Sequence, residues 1–207
     1  MKTISRTLPL ILMCSAVLIS TPGCLKKGPA VSRVSTESTT DLSGAWNDTD
    51  SRLVATEMIQ DVLSRPWKKR FTKKKKGAVP AVIIGRVRNL SHEHINTRTF
   101  VNDMEKALIN SGEVDFVASS SERQEIRAER RDMDVHASDS SRKEAGQEQG
   151  ADFMLKGTIN TIVDAVAGRH VRFYQVDLTL IDLANNRKVW VGQKKIKKDV
   201  ARSSFSL

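Results

Sequence analysis

The sequence predicts an α/β fold: a single sandwich-like domain with a mixed, largely antiparallel sheet flanked by helices, preceded by a signal peptide and a flexible tether. Three observations predict it. Early in the chain, stretches with helical spacing of apolar residues alternate with short β-branched runs. Towards the C-terminus three extended runs follow one another, Asp152 to Val163, Val171 to Leu183 and Lys188 to Ile196. Finally, 207 residues with 39% apolar and 28% charged side chains suffice for one domain with a buried core and leave little room for a second. The same composition excludes collagen-like, disulfide-dense and polytopic membrane proteins.

Residues 1–23 have the dimensions of an export leader. Lys2 and Arg6 precede an apolar run from Leu8 to Ile19, roughly a dozen residues where a membrane-spanning helix needs about 20. The run ends at Thr21-Pro22-Gly23-Cys24. A small residue just before a cysteine, directly after the apolar run, resembles the lipobox of bacterial lipoproteins. In that class the leader is cut before the cysteine, whose sulfur carries a diacylglycerol and whose new amino group is acylated. The resemblance implies lipidation at Cys24 and anchoring to a membrane, with several acyl chains holding far more firmly than one. The alternative is a secreted chain cut near Gly23 with Cys24 as a free thiol. Cys14 leaves with the leader, so Cys24 has no internal disulfide partner, and a lone exposed thiol in an oxidising compartment is a liability. Leu25, Lys26 and Lys27 follow without an Asp, which by the sorting rule of enteric bacteria implies the outer membrane, with the domain facing the periplasm. Outside the cytoplasm there is no chromosome to bind. Nucleic acid is therefore not an expected partner, despite a formal charge of +10 from 34 Lys+Arg against 24 Asp+Glu.

Residues 24–45 read as the tether, rich in Gly, Pro, Ser and Thr from Gly28 to Thr40. Such a coil typically spans only ~25 Å, which keeps the domain near its membrane. The globular domain is expected over 46–207. Asn47, Asp48 or Thr49 can cap a first helix carrying Leu53, Val54, Met58, Ile59, Val62 and Leu63, and Pro66 stops it. Pro80-Ala-Val-Ile-Ile-Gly-Arg-Val-Arg-Asn89 is a buried strand. A second helix spans about Thr99 to Asn110, with Phe100, Met104, Ala107 and Leu108 on one face and Gly112 suited to a left-handed C-terminal cap. Val114 to Ala118 is a short strand. Ser121 to Arg131 is a charged helix with little apolar surface, placed outside, and Asp139 to Gln149 is a further polar helix or an excursion. In the second C-terminal run Tyr174, Val176, Leu178 and Leu180 alternate with Gln175, Asp177 and Thr179, one core face and one wet face. Ala184-Asn185-Asn186-Arg187 suits the turn of an antiparallel hairpin to the third run.

No catalytic set emerges. His92-Glu93-His94 places two imidazoles close together, but nearby third and fourth ligands are missing, so neither metal nor cofactor is expected. There is no Gly-x-Ser-x-Gly, no Ser-x-x-Lys set of the penicillin-binding type, no usable Cys–His pair and no glycine-rich phosphate loop. Carboxylate pairs such as Asp132 and Asp134 arise by chance among 24 acids. The protein is not expected to be an enzyme. Residues 65–76 hold eight cations and no acid, flanked by Trp67 and Phe71, and Arg187 to Arg202 form a second basic stretch. These read either as a solvated loop and a charged sheet edge or as a surface attracted to anionic partners.

The most distinctive segment is Asp41-Leu42-Ser43-Gly44-Ala45-Trp46-Asn47-Asp48-Thr49-Asp50-Ser51-Arg52-Leu53-Val54. Physically it is a turn, an aromatic able to fold back on the domain, and a polar cap opening the first helix. Followed by Met58-Ile59, Arg65-Pro66-Trp67 and Pro80-Ala-Val-Ile-Ile-Gly, it resembles the LpoB family of penicillin-binding-protein activators, over roughly residues 40 to 197. Their globular domain is similar to the N-terminal domain of TolB and, more distantly, to the curli-secretion lipoproteins. The resemblance implies a regulator without catalysis of its own, whose partner is a class A penicillin-binding protein, a bifunctional peptidoglycan synthase. Trp46, Asn47, Asp48, Thr49, Asp50, Ser51 and Arg52 are the candidate interaction or family-motif residues, and a monomer is expected. The alternative is a structural or secretion-associated outer-membrane lipoprotein related to the curli-secretion family, which would form large oligomers.

Overall fold

The structure, a computed structural model, describes residues 31–143 and 146–201. The expected leader and Cys24 lie outside the described residues. Glu37–Leu207 form one compact unit. Its elements are α1 (Asp48–Ser64), α2 (Trp67–Lys74), β1 (Ala81–Asn89), α3 (Thr97–Ser111), β2 (Asp115–Phe116), α4 (Ser120–His136), β3 (Phe153–Val166), β4 (Arg169–Asp182) and β5 (Arg187–Ala201). The five strands make one mixed sheet in the order β2-β1-β3-β4-β5. β1 runs parallel to both β2 and β3, whereas the long β3–β4 and β4–β5 ladders are antiparallel. The α/β class and the mixed sheet expected from the sequence are the observed ones.

α1 begins where its cap is chemically complete. Asn47 Oδ1 accepts from the Asp50 amide and Asp50 Oδ2 accepts from the Asn47 amide, each at 3.0 Å, a reciprocal capping box. Val54, Ala55, Met58, Ile59 and Val62 form its buried stripe, but Leu53 is 52% exposed, being rotated by about 100° from that stripe. Pro66 holds Arg65 extended (φ −81°, ψ 154°) and so ends the helix. The chain does not then enter the loop expected for 65–76. Proline's fixed φ suits a helix start, and α2 follows at once. Only Trp67 and Phe71, four residues apart, face inward, both packed edge-on against Phe153 at 4.9 and 5.3 Å between ring centres. Trp67 Nε1 donates to the Val62 carbonyl at 2.6 Å, which also accepts from the Arg65 amide at 3.3 Å, so the indole ties α2 to the last turn of α1.

β1 opens with four buried residues in a row, Ala81 to Ile84, as expected of a strand covered on both faces. α3 is capped by Asn96, buries Phe100, Met104 and Leu108 at successive turns, and ends at Gly112 with φ +63°, the left-handed conformation a non-glycine residue adopts only with strain. β2 is only two residues long. α4 runs past the predicted end at Arg131 to His136, with a Ser119–Glu122 capping box and no buried residue. Of the segment Asp139 to Gln149, the described residues form an excursion without a helix. Arg127 ties it back through paired hydrogen bonds to Glu148 at 2.8 and 2.9 Å.

α1 and α3 pack side by side on one face of the sheet, α1 over β5 and α3 over β1. There Tyr174, Val176, Leu178 and Leu180 of β4 meet Leu155 and Ile159 of β3 and the apolar stripes of both helices. Two glycines allow close approaches within this sheet. A Cβ on Gly157 would lie 2.3 Å from the Asp177 carbonyl oxygen, and one on Gly192 would enter the Trp190 ring at 2.1 Å. Trp190 covers that gap and donates to Asp61 Oδ2 at 2.7 Å, linking β5 to α1.

Candidate functional site

The Trp46–Arg52 motif spans the junction where the N-terminal strap meets the body. Trp46 lies half-buried, edge-on to Tyr174 (5.5 Å between ring centres, 65°) and to Phe100 (6.4 Å, 87°). Asn47 and Asp50 form the cap just described. Asp48 is exposed in the first turn of α1, Thr49 is buried with its hydroxyl unpartnered, and Ser51 donates to Asp103 Oδ2 at 3.5 Å. Arg52 pairs with Glu37 at 3.0 Å. The fold thus gathers these seven residues around one helix start, and only Asp48 among them is exposed.

Two charged side chains from elsewhere in the sequence clamp the strap. Glu93, in the loop after β1, accepts from the Trp46 amide (3.1 Å), the Tyr174 hydroxyl (2.7 and 2.9 Å) and Arg172 Nη1 (2.8 Å). The Tyr174 oxygen also lies 2.9 Å from the Gly44 carbonyl, in reach of its single proton. On β5, Lys198 donates to Asp50 Oδ2 at 2.6 Å, Asp41 Oδ1 at 3.0 Å and the Ala45 carbonyl at 3.2 Å. Strap, loop, helix cap and sheet are joined in one polar network beneath the Trp46 ring. His92-Glu93-His94 resolves accordingly: both histidines are exposed, and the central glutamate turns inward. Among the described residues no group of three or more His, Cys, Asp or Glu side chains is placed to hold a metal ion.

The electrostatics follow from partial burial. Burial alone would lower the Lys198 pKa, but its hydrogen bonds to Asp50 and Asp41 outweigh that and raise it above the ordinary lysine value. Asp41 is held below its ordinary value, first by the hydrogen bond from Lys198 and then by that from Asn47. Burial, reinforced by Glu93, pushes the Tyr174 phenol far up, so it is a neutral donor throughout the physiological range. A depressed carboxylate stabilises the fold above its unfolded pKa and ceases to do so as pH falls through the folded one. A raised lysine stabilises below its unfolded pKa and loses effect as pH rises through the folded one. The Asp41–Lys198 link is therefore strongest at neutral pH. In urea titrations Asp41→Asn should flatten the loss of stability that the parent chain shows below about pH 5, and parallel profiles would remove this role.

Sequence reasoning finds the cap residues, because a cap is written in adjacent positions. Glu93, Arg172 and Lys198 escape it as anchors. The available signal is a single glutamate between two histidines in a loop, and one lysine within a basic strand.

The fold and this clamp make a small α/β domain in which an N-terminal strap is locked across a helix-on-sheet body at the start of the first helix. The model of the peptidoglycan-synthase activator LpoB family matches residues 50–196, and the chain belongs to that family. No curated protein matches it. Among solved structures, the LpoB C-terminal domain from Escherichia coli is 13% identical, with a TM-score of 0.45, covering 72% of this chain and 99% of that one. The corresponding domain from Salmonella enterica is 13% identical, with a TM-score of 0.39 and coverage of 72% and 96%. Lipoprotein GNA1162 from Neisseria meningitidis is 16% identical, with a TM-score of 0.39 and coverage of 58% and 83%.

Proposed function

We propose that this chain is an outer-membrane lipoprotein, anchored through Cys24, whose periplasmic domain binds a class A penicillin-binding protein and stimulates its peptidoglycan synthesis. The observation that carries the reading is the family match over residues 50–196. The Gly23-Cys24 boundary supports the anchor. Among the described residues no helix is long and apolar enough to cross a membrane. The activator acts by binding the working state of the synthase more tightly than its resting state; a surface binding both equally would shift nothing. In this reading the clamp is a positioning device. It holds the strap from Asp41 onward against the body, and it presents Asp48 and the exposed Leu53 at the start of α1.

The test is glycan polymerisation by a class A synthase of the same organism with the full chain added. The expected result is a saturable rise in rate, retained by Cys24→Ser in detergent, while that variant no longer incorporates labelled palmitate in cells. An unchanged rate at saturating concentration would remove the activator reading, and palmitate in the variant would remove the anchor.

A further inference from the structure

At the edge of the sheet, away from the clamp, a cleft of about 650 Å³ opens between α2 and the β4–β5 turn. Its size falls within the range of pockets that hold a small ligand or a short stretch of peptide. The floor is aromatic: Trp67 and Phe153 are buried, and Phe71 is half-buried against them. Cations stand on both flanks, Arg70 and Lys74 on α2 with Lys75 just past its end, and Arg187 and Lys188 at the start of β5. All five are exposed, and none enters an ion pair among the described residues. Lys68, one turn away on the same helix, does pair with Glu113. The two carboxylates lining the cleft are committed to local structure. Asp152 accepts from the Ala81 amide and Asp182 from the Ala184 amide and the Asn185 side chain, each at 2.9 Å.

We infer that this cleft is a docking site for an acidic peptide segment of a partner protein, with an aromatic or aliphatic side chain seated on Phe71, which Trp67 and Phe153 back from beneath, and flanking carboxylates reaching the cations. Charge complementarity names the sign of the occupant, and the floor supplies the apolar anchor on which peptide affinity concentrates. An anionic membrane is the weaker fit, because a flat surface reaches the exposed cations but not the floor recessed between them. A peptide side chain reaches both. The inference does not depend on the partner being a synthase, and it stands if stimulation is not found.

The experiment uses the full-length chain carrying Cys24→Ser, titrated into the fluorescein-labelled peptide Asp-Glu-Phe-Glu-Asp at low salt and followed by anisotropy. Saturable binding is expected, weakened at least about tenfold by the Lys74→Glu/Lys188→Glu pair and by replacing the peptide's acids with their amides. Raising the salt should weaken it further, since these charges are open to screening. Replacing the peptide's phenylalanine by glycine should weaken it at least about fivefold at unchanged peptide charge, reporting the floor separately. The two exposed lysines carry no packing, so a folding defect does not obscure the charge arm. Absence of saturable binding, or equal affinity for the double variant, overturns the inference. So does a double variant that loses binding to phosphatidylglycerol vesicles while the parent ignores the peptide, which would assign the cations to lipid.

Discussion

Replacing Glu93 by alanine should lower the free energy of unfolding by about 3 kcal/mol, the scale for stripping one partner from a largely buried ion pair. The size follows from what the carboxylate leaves behind. Arg172, with its side chain 26% exposed and its Nε already without a partner, loses the acceptor of its Nη1. The Trp46 amide loses its acceptor, and the buried Tyr174 hydroxyl keeps only the Gly44 carbonyl. Tyr174→Phe removes a hydroxyl alone and should cost only about 1 kcal/mol. Because both side chains belong to one network, the double variant should be less destabilised than the sum, by up to about 1 kcal/mol, the whole cost of the tyrosine hydroxyl. Urea denaturation of the four chains measures this, and strict additivity would show that Glu93 and Tyr174 do not act together. The loss should also free the strap, so protease cleavage near Gly44 should quicken in Glu93→Ala under native conditions.

A larger loss is expected for Trp67→Ala, about 3–5 kcal/mol, the range for emptying a buried aromatic site. Trp67 is 2% exposed and joins three elements at once: its ring packs on Phe153 of β3, its indole N–H donates to the Val62 carbonyl in the last turn of α1, and its backbone begins α2. An eight-residue helix has no independent stability in water, and this one carries five cations beside its two aromatics. Without the tryptophan anchor α2 should detach. Amide exchange should then rise across residues 67–74 before it rises in α1 or α3, and a uniform rise would instead indicate a general loss of packing. Phe71→Ala, at the half-buried position, should show the same pattern at smaller amplitude.

α2 also marks a limit of sequence reading. Every element with a repeated signal is legible. α3 displays its Phe100–Met104–Leu108 stripe and its Gly112 stop, β4 alternates from Tyr174 to Leu180, and the β4–β5 turn carries Asn186 at φ +59°. α2 has one apolar pair and a run of lysines, a pattern that composition alone assigns to a solvated loop. It is helical because Phe153, some 80 residues further on, offers both rings a surface. β2 and the end of α4 are misjudged in length for a related reason. Strand and helix ends are set by neighbours, and β2 meets β1 at only two positions.

The candidate site divides in the same way. Asn47 and Asp50 are close enough in the chain to read each other directly, so the cap is written in the sequence. The Trp46–Glu93 and Asp41–Lys198 contacts join residues 47 and 157 positions apart, and no local rule reaches that far.

By itself the sequence determined what acts within a few residues: where helices start and stop, which face of each strand is apolar, where the chain turns, and hence the α/β class. Tertiary structure alone decided which charges became structural, locking Glu93 and Lys198 into the clamp while leaving Lys74 and Lys188 at a cleft without an ion-pair partner among the described residues. The physical reason is range. Backbone preferences and side-chain periodicity are local, whereas the partner of a charge depends on which distant strand the sheet brings alongside it.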